Sequence, residues 1–144
     1  MKVEKILQSK GRRVVTVQRH ASIESVVGHM RLEKIGAIVI SPDGQTVEGI
    51  VSERDVVRAL AVHGAEVFHM RAEDLMTRQV TTCGRQDSVQ SVMATMTQNR
   101  IRHLPVVEKG RLEGIVSIGD AVKNRLEEVE LEATVLRDAY LAMH

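Results

Sequence analysis

The segment GIVSERD, Gly49 to Asp55, returns as GIVSIGD, Gly114 to Asp120, with its ends displaced by 65 positions. Val15-Thr16 answers to Val80-Thr81 at the same displacement. Ser22-Ile23 answers to Ser88-Val89, and Ile35 to Ile101, after a slip of one residue that a shorter loop in the second copy restores. Two copies are too few for a solenoid, whose units stack in longer arrays to bury a continuous core. The echo instead predicts two copies of one folding unit packed together. Any pocket built from repeated residues then occurs in two related versions.

The periodicities along each copy follow one order. Val3, Ile6 and Leu7 share a face of a short opening helix that Gly11 ends. Val14 to Val17, rich in β-branched residues, reads as a strand. Ser22 caps a helix whose apolar residues Ile23, Val26, Val27 and Met30 fall at helical spacing. Ala37 to Ile40 is an unbroken apolar run, as in a strand covered on both faces, and Ser41-Pro42-Asp43-Gly44 is a turn. Val47 to Ser52 reads as the next strand and Glu53 to Val62 as the next helix, stopped near Gly64. The second copy predicts a helix over Glu73 to Met76, a strand over Val80 to Thr82 and a helix over Ser88 to Gln98. Strands over Leu104 to Val107 and Leu112 to Ser117 flank a turn, and a last helix begins near Ser117. The expected organisation is a first copy with the opening helix over 1–64, a linker over 65–72, a second copy over 73–125 and a helical extension over 126–144. The fold class is α/β, of the α+β kind, with two β-α-β-β-α units.

Composition narrows the function. Lys and Arg number 20 against 19 Asp and Glu, so no field steers the chain to nucleic acid or to an anionic membrane. Phe68 and Tyr140 are the only aromatics besides histidine, too few for base-stacking platforms. A base held here would lie between aliphatic side chains and backbone. The single cysteine, Cys83, has no intramolecular partner and no CxxC exists for zinc. The histidines at 20, 29, 63, 69, 103 and 144 form no HxxH or HxxxH pair, so no metal is expected. No GxSxG, P-loop or GxGxxG occurs, and nothing points to catalysis. The N-terminal stretch interleaves charge with apolar residues, and no run approaches the length of a membrane span. A cytoplasmic protein is expected.

Ser52-x-x-Asp55 and Ser117-x-x-Asp120 have the spacing of a helix capping box, with Asp in the place of Glu. Capping alone accounts for both pairs. In the last helix, Val122, Leu126, Val129, Ala133, Leu136, Tyr140 and Met143 are spaced alternately by four and three, a heptad pattern. Two placements fit that stripe: a dimer contact, or packing back on the domain against Val3, Ile6 and Leu7.

Two tandem units, each ending in Gly-hydrophobic-Val-Ser-x-x-Asp, together with RIRHLPVVEKGRLEGIVSIGD from Arg100 to Asp120, resemble paired CBS domains, the Bateman module. The resemblance runs from about Val14 to the helix after Asp120. It implies a stand-alone, non-catalytic regulatory module that binds an adenosine ligand such as AMP, ADP, ATP, NAD, NADH or S-adenosylmethionine. It also implies a homodimer and an unidentified protein partner. By the same resemblance Asp55 and Asp120 take ribose hydroxyls, and Ser52 and Ser117 meet phosphate or ribose. Arg102 and His103 meet phosphates beside Pro105, and Thr16, Val17, Thr81 and Thr82 border the adenine. The first copy has Gly36-Ala37 in place of Arg102-His103 and Val39 in place of Pro105, so the two sites are expected to differ. Arg54 is a further candidate cation. The rival reading is a constitutive interaction module with vestigial clefts.

Overall fold

The computed structural model describes residues 1–143; His144 lies outside them. Six helices and five strands follow the order α1 (Val3–Lys10), β1 (Thr16–Val17), α2 (Ile23–Glu33), β2 (Ala37–Ile40), β3 (Gly49–Ser52), α3 (Glu53–His63), α4 (Ala72–Leu75), α5 (Val89–Asn99), β4 (His103–Glu108), β5 (Arg111–Ser117) and α6 (Ile118–Met143). In the first copy β1 pairs parallel with β2, and β2 pairs antiparallel with β3. In the second, β4 and β5 form an antiparallel hairpin. Lys109 and Gly110, at φ 52° and 75°, supply its two-residue turn in the left-handed conformation that such a hairpin needs.

One expectation fails. Val80 to Thr82 does not form a strand: the second copy keeps only a parallel bridge between Cys83 and Val106, made by Cys83 N–H on the Pro105 carbonyl and Val107 N–H on the Cys83 carbonyl. The segment 65–72, which connects the copies, is itself structured. Gly64–His69 is a 3-10 helix, and both Val67 and Ala72 are fully buried in the first core.

The opening helices exchange partners. Val3, Ile6 and Leu7 of α1 are buried with Val89, Val92, Met96, Leu104, Val106 and Val116 of the second copy. Val67, Ala72 and Met76, which lead into the second copy, are buried with Ile23, Val26, Ile38, Ile40 and Val51 of the first. Burial of each such aliphatic side chain contributes about 1.5–3 kcal/mol, so each core depends on the helix that precedes the other copy. The repeated glycines allow this crossing. A Cβ on Gly114 would lie 2.6 Å from Leu7 Cδ2, and one on Gly49 2.5 Å from Met76 Sδ. The glycine of the G-hydrophobic-V-S motif is thus the floor on which the other copy's leading helix rests.

Candidate functional site

Each copy presents its motif at the end of a strand. Ser52 closes β3 and caps α3; its Oγ accepts from Asp55 N–H at 3.3 Å, and Asp55 Oδ2 accepts from Ser52 N–H at 2.8 Å and from Ser52 Oγ at 3.0 Å. The capping box is therefore formed with the shorter Asp. Both bonds to the carboxylate fall on Oδ2, which leaves Oδ1 to accept from another donor. Asp120 repeats the geometry, with Oδ2 accepting from Ser117 N–H at 2.9 Å and its own N–H donating to Ser117 Oγ at 3.1 Å.

The rims come from the turns that end α2 and α5. Lys34 and Arg100 occupy equivalent C-cap positions, both left-handed at φ 54°. Each turn throws the next residues, Gly36-Ala37 or Arg102-His103, towards the helix that its own copy's motif begins. Glu53 N–H donates to the Gly36 carbonyl at 2.9 Å, and Ile118 N–H to the Arg102 carbonyl at 2.8 Å. Gly36 sits under two side chains: a Cβ there would displace the Glu53 carboxylate and lie 3.1 Å from His103 Cε1. His103 therefore reaches across the junction of the copies and rests on Gly36.

A cleft of about 460 Å³ opens between the copies. The motif residues Ser52, Glu53, Arg54, Asp55 and Arg58 form one wall; Thr77, Gln79, Val80 and Thr81 and the segment Arg100 to His103 face them, with Gly36 and Ala37 between. Of the residues singled out by sequence, Gly36, Ala37, Ser52, Arg54, Asp55, Thr81, Arg102 and His103 come together here. Arg102 and His103 thus face Asp55 of the other copy. Thr82 is exposed outside the cleft, and Pro105 is buried in β4 opposite Ile115. Thr16 and Val17 form β1 and pair with Val39 and Ile40, Val17 within the first core. Ser117 and Asp120 also lie outside this cleft.

Sequence reading missed Arg58, Arg100, Gln79 and Glu53. Arg58 follows Arg54 by one helical turn, so the spacing itself could have placed it on the same face. Four arginines, Arg54, Arg58, Arg100 and Arg102, line the cleft together with Glu53 and Asp55. Arg54 Nη1 donates to the Arg100 carbonyl at 3.0 Å and links the walls. Burial pushes the His103 imidazole below its ordinary value, with Lys10 and Arg102 acting in the same direction and Glu53 and Asp120 opposing. Neutral His103 presents one donor and one acceptor.

The counterpart around Asp120 is occupied differently. Lys10 Nζ, at the end of α1, lies 2.6 Å from Asp120 Oδ2 and 3.0 Å from the Ile115 carbonyl. Burial raises the Asp120 carboxyl, but hydrogen bonds from Lys10 and Ser117 outweigh it and hold the group below its ordinary value. Lys10 follows Leu7 by three residues as Gln79 follows Met76, so the first copy's Asp55 has a neutral amide where Asp120 has an ammonium. No cluster of metal-ligating side chains exists among the described residues, and none of the described helices is long and apolar enough to cross a membrane.

Known proteins share this architecture. A crystal structure of a CBS-domain-containing protein from Agrobacterium tumefaciens superposes with a TM-score of 0.83 at 43% identity, covering 86% of this chain and 92% of that one. A CBS domain pair solved in complex with 5′-methylthioadenosine and S-adenosyl-L-methionine gives 0.78 at 25% identity, over 89% and 98% of the two chains. A CBS domain protein from Pyrobaculum aerophilum complexed with AMP gives 0.74 at 27%, over 83% and 89%. A mitochondrial CBS domain-containing protein of Arabidopsis thaliana is 34% identical over 111 residues, 74% of this chain. The chain spans 54% of that relative, and 39% and 34% of two archaeal relatives. The CBS domain family matches at residues 5–62 and again at 72–127, so the chain belongs to that family and carries two tandem copies of its domain.

Proposed function

We propose that the chain is a non-catalytic adenine-nucleotide sensor, acting in the cytoplasm as a homodimer whose contact with a protein partner changes when the cleft fills. The observation that carries this reading is the pairing of one unengaged carboxylate oxygen, on Asp55, with four arginines in one cleft between the copies. A ribose presents two neighbouring hydroxyl donors to a group that only accepts. A phosphate presents oxygens to guanidinium forks. The relatives solved with AMP and with S-adenosylmethionine support an adenosine ligand. Charge divides them for this chain: the excess of cations in the cleft favours AMP, ADP, ATP or a dinucleotide such as NAD or NADH over a sulfonium cation.

The lack of aromatics leaves Ile50, Val80 and Ile101 as the apolar surfaces available to the purine faces. Backbone groups would read its edge. A thermal-shift screen with adenosine, AMP, ADP, ATP, NAD, NADH and S-adenosylmethionine tests the reading. A ligand at a hundred times its Kd adds about 2.7 kcal/mol of stability. Phosphate-bearing ligands are expected to raise the Tm most and S-adenosylmethionine least. Equal silence from all seven would leave the interaction module with vestigial clefts as the better account.

A further inference from the structure

Helix α6 runs for 26 residues, but only its beginning touches the module. Ala121 and Asn124 are buried, Arg125 and Glu128 are half-buried, and every described residue from Val129 to Met143 is exposed. The heptad stripe is not folded back on Val3, Ile6 and Leu7, which are spent in the second core. Val122, Leu126, Val129, Leu136, Tyr140 and Met143 are between 41% and 81% exposed. A projecting helix of this kind has little intrinsic stability in water, and its apolar stripe needs a cover.

We propose that α6 forms a parallel, in-register, two-stranded coiled coil with α6 of a second copy of this chain. The inference deepens the homodimer assigned above and rests on it. The spacing of the stripe puts Leu126, Ala133 and Tyr140 at the first core position of the heptad and Val122, Val129, Leu136 and Met143 at the second. The flanking positions then hold Lys123, Arg125, Glu130, Glu132 and Arg137. In a parallel pair, each flanking residue on one side meets the residue five further on in the other helix. Arg125 meets Glu130 of the second copy, and Glu132 meets Arg137 of the second copy. Both contacts attract, and two-fold symmetry makes each of them twice. Arg125, which pairs loosely with Glu128 of its own helix at 3.5 Å, has only to turn outward.

The antiparallel pair that keeps the stripe from Val122 to Tyr140 in the seam sets Glu130 against Glu130 and Glu132 against Glu132, with Lys123 against Arg137. The antiparallel slides that escape this repulsion leave either Val122 or both Leu136 and Tyr140 outside the seam. The charges therefore select one orientation for a self-partner, and a partner of unrelated sequence would not require this five-residue complementarity.

Two cysteine variants of the full chain, Val129→Cys and Leu136→Cys, test the orientation under mild oxidation. Native Cys83 does not compete, because burial pushes its thiol up to about 12. In the parallel pair both variants are expected to cross-link to themselves, each as a dimer on a non-reducing gel. In none of the antiparallel alignments does either position meet its own copy. Arg125→Glu is expected to raise the dimer dissociation constant about tenfold or more, and adding Glu130→Arg to restore it. Light scattering separates the failures. A monomeric native chain sinks the homodimer and this inference together; a native dimer in which neither cysteine cross-links sinks the coiled coil alone.

Discussion

The two copies carry the same Ser-x-x-Asp cap in the same geometry, yet their carboxylates have different neighbours. Asp55 opens on a cleft with four arginines, and the amide of Gln79 lines the same space. Asp120 is held at 2.6 Å by Lys10, a residue of the chain itself. The rims differ as well: Gly36-Ala37 stands where the second copy has Arg102-His103, and the His103 ring lies over Gly36. The repeated backbone thus fixes where a ligand could bind. What binds is set by residues that the opposite copy and the leading helices bring to that place. Internal duplication yields one framework with two chemistries.

The sharpest way to break this contrast is at Asp55. Asp55→Ala removes a charged acceptor whose loss costs about 1–3 kcal/mol, a fall in affinity from several-fold to more than a hundredfold. It also removes the carboxylate half of the capping box, worth about 0.3–1 kcal/mol of stability. Calorimetry with AMP separates the two effects, since the cap loss alone would lower the Tm and leave Kd unchanged. An unchanged Kd would reduce Asp55 to its structural role.

Arg102 sharpens the contrast next. Arg102→Ala is expected to weaken AMP about tenfold while adenosine keeps its affinity, because the guanidinium faces phosphate and not the nucleoside. Equal losses for both ligands would count against a phosphate contact. The same measurement on Arg58→Ala reports whether the arginine one turn beyond Arg54 shares the load.

Lys10 carries a smaller effect with a distinctive readout. If the Asp55 cleft is the nucleotide site, Asp120→Ala in the native chain is expected to leave nucleotide affinity within about twofold, because Asp120 already has its cation. Losing its half of the capping box should still cost about 0.3–1 kcal/mol of stability. Lys10→Met, which frees Asp120, is expected to add a second, weaker nucleotide per chain in the calorimetric stoichiometry. Two nucleotides bound by the native chain would show that Lys10 yields to ligand.

Much of this was legible beforehand. The echo of GIVSERD in GIVSIGD led directly to two units, because strand-end caps and buried strands impose local residue choices that survive in both copies. The exchange of leading helices was not legible. Leu7 and Met76 look like ordinary core residues, and only the space above Gly114 and Gly49 reveals which core receives them. The strand expected at Val80 to Thr82 is absent because β-branched residues report only a fit to a pleated surface, not the presence of a partner. Lys10 gave no signal at all: a lysine closing a helix normally answers the helix dipole. Arg102 and His103 stand out in the sequence by type, but their approach to Asp55 of the other copy is a fact of packing.

The smallest expected effect concerns acid, and it distinguishes the two regions by pH. His103 is held below its ordinary value of 6.5, chiefly by burial. An unfolded chain takes up that proton first, so the contribution is complete above 6.5 and declines as the pH falls from there towards the folded-state value. Asp120 is held below its ordinary 3.8, so its contribution is present above 3.8 and is lost only as the pH falls through its lower folded value. Acid therefore reaches the His103 junction first and the Lys10–Asp120 pair later. His103→Gln should flatten the upper decline in a Tm series and leave the lower one, and Asp120→Asn should do the reverse. A bound phosphate dianion beside His103 favours the imidazolium and opposes burial. AMP should therefore protect the upper window more than adenosine does. If AMP and adenosine protect it equally, the phosphate does not lie near His103, and the assignment of the Arg102–His103 rim to phosphate falls with it.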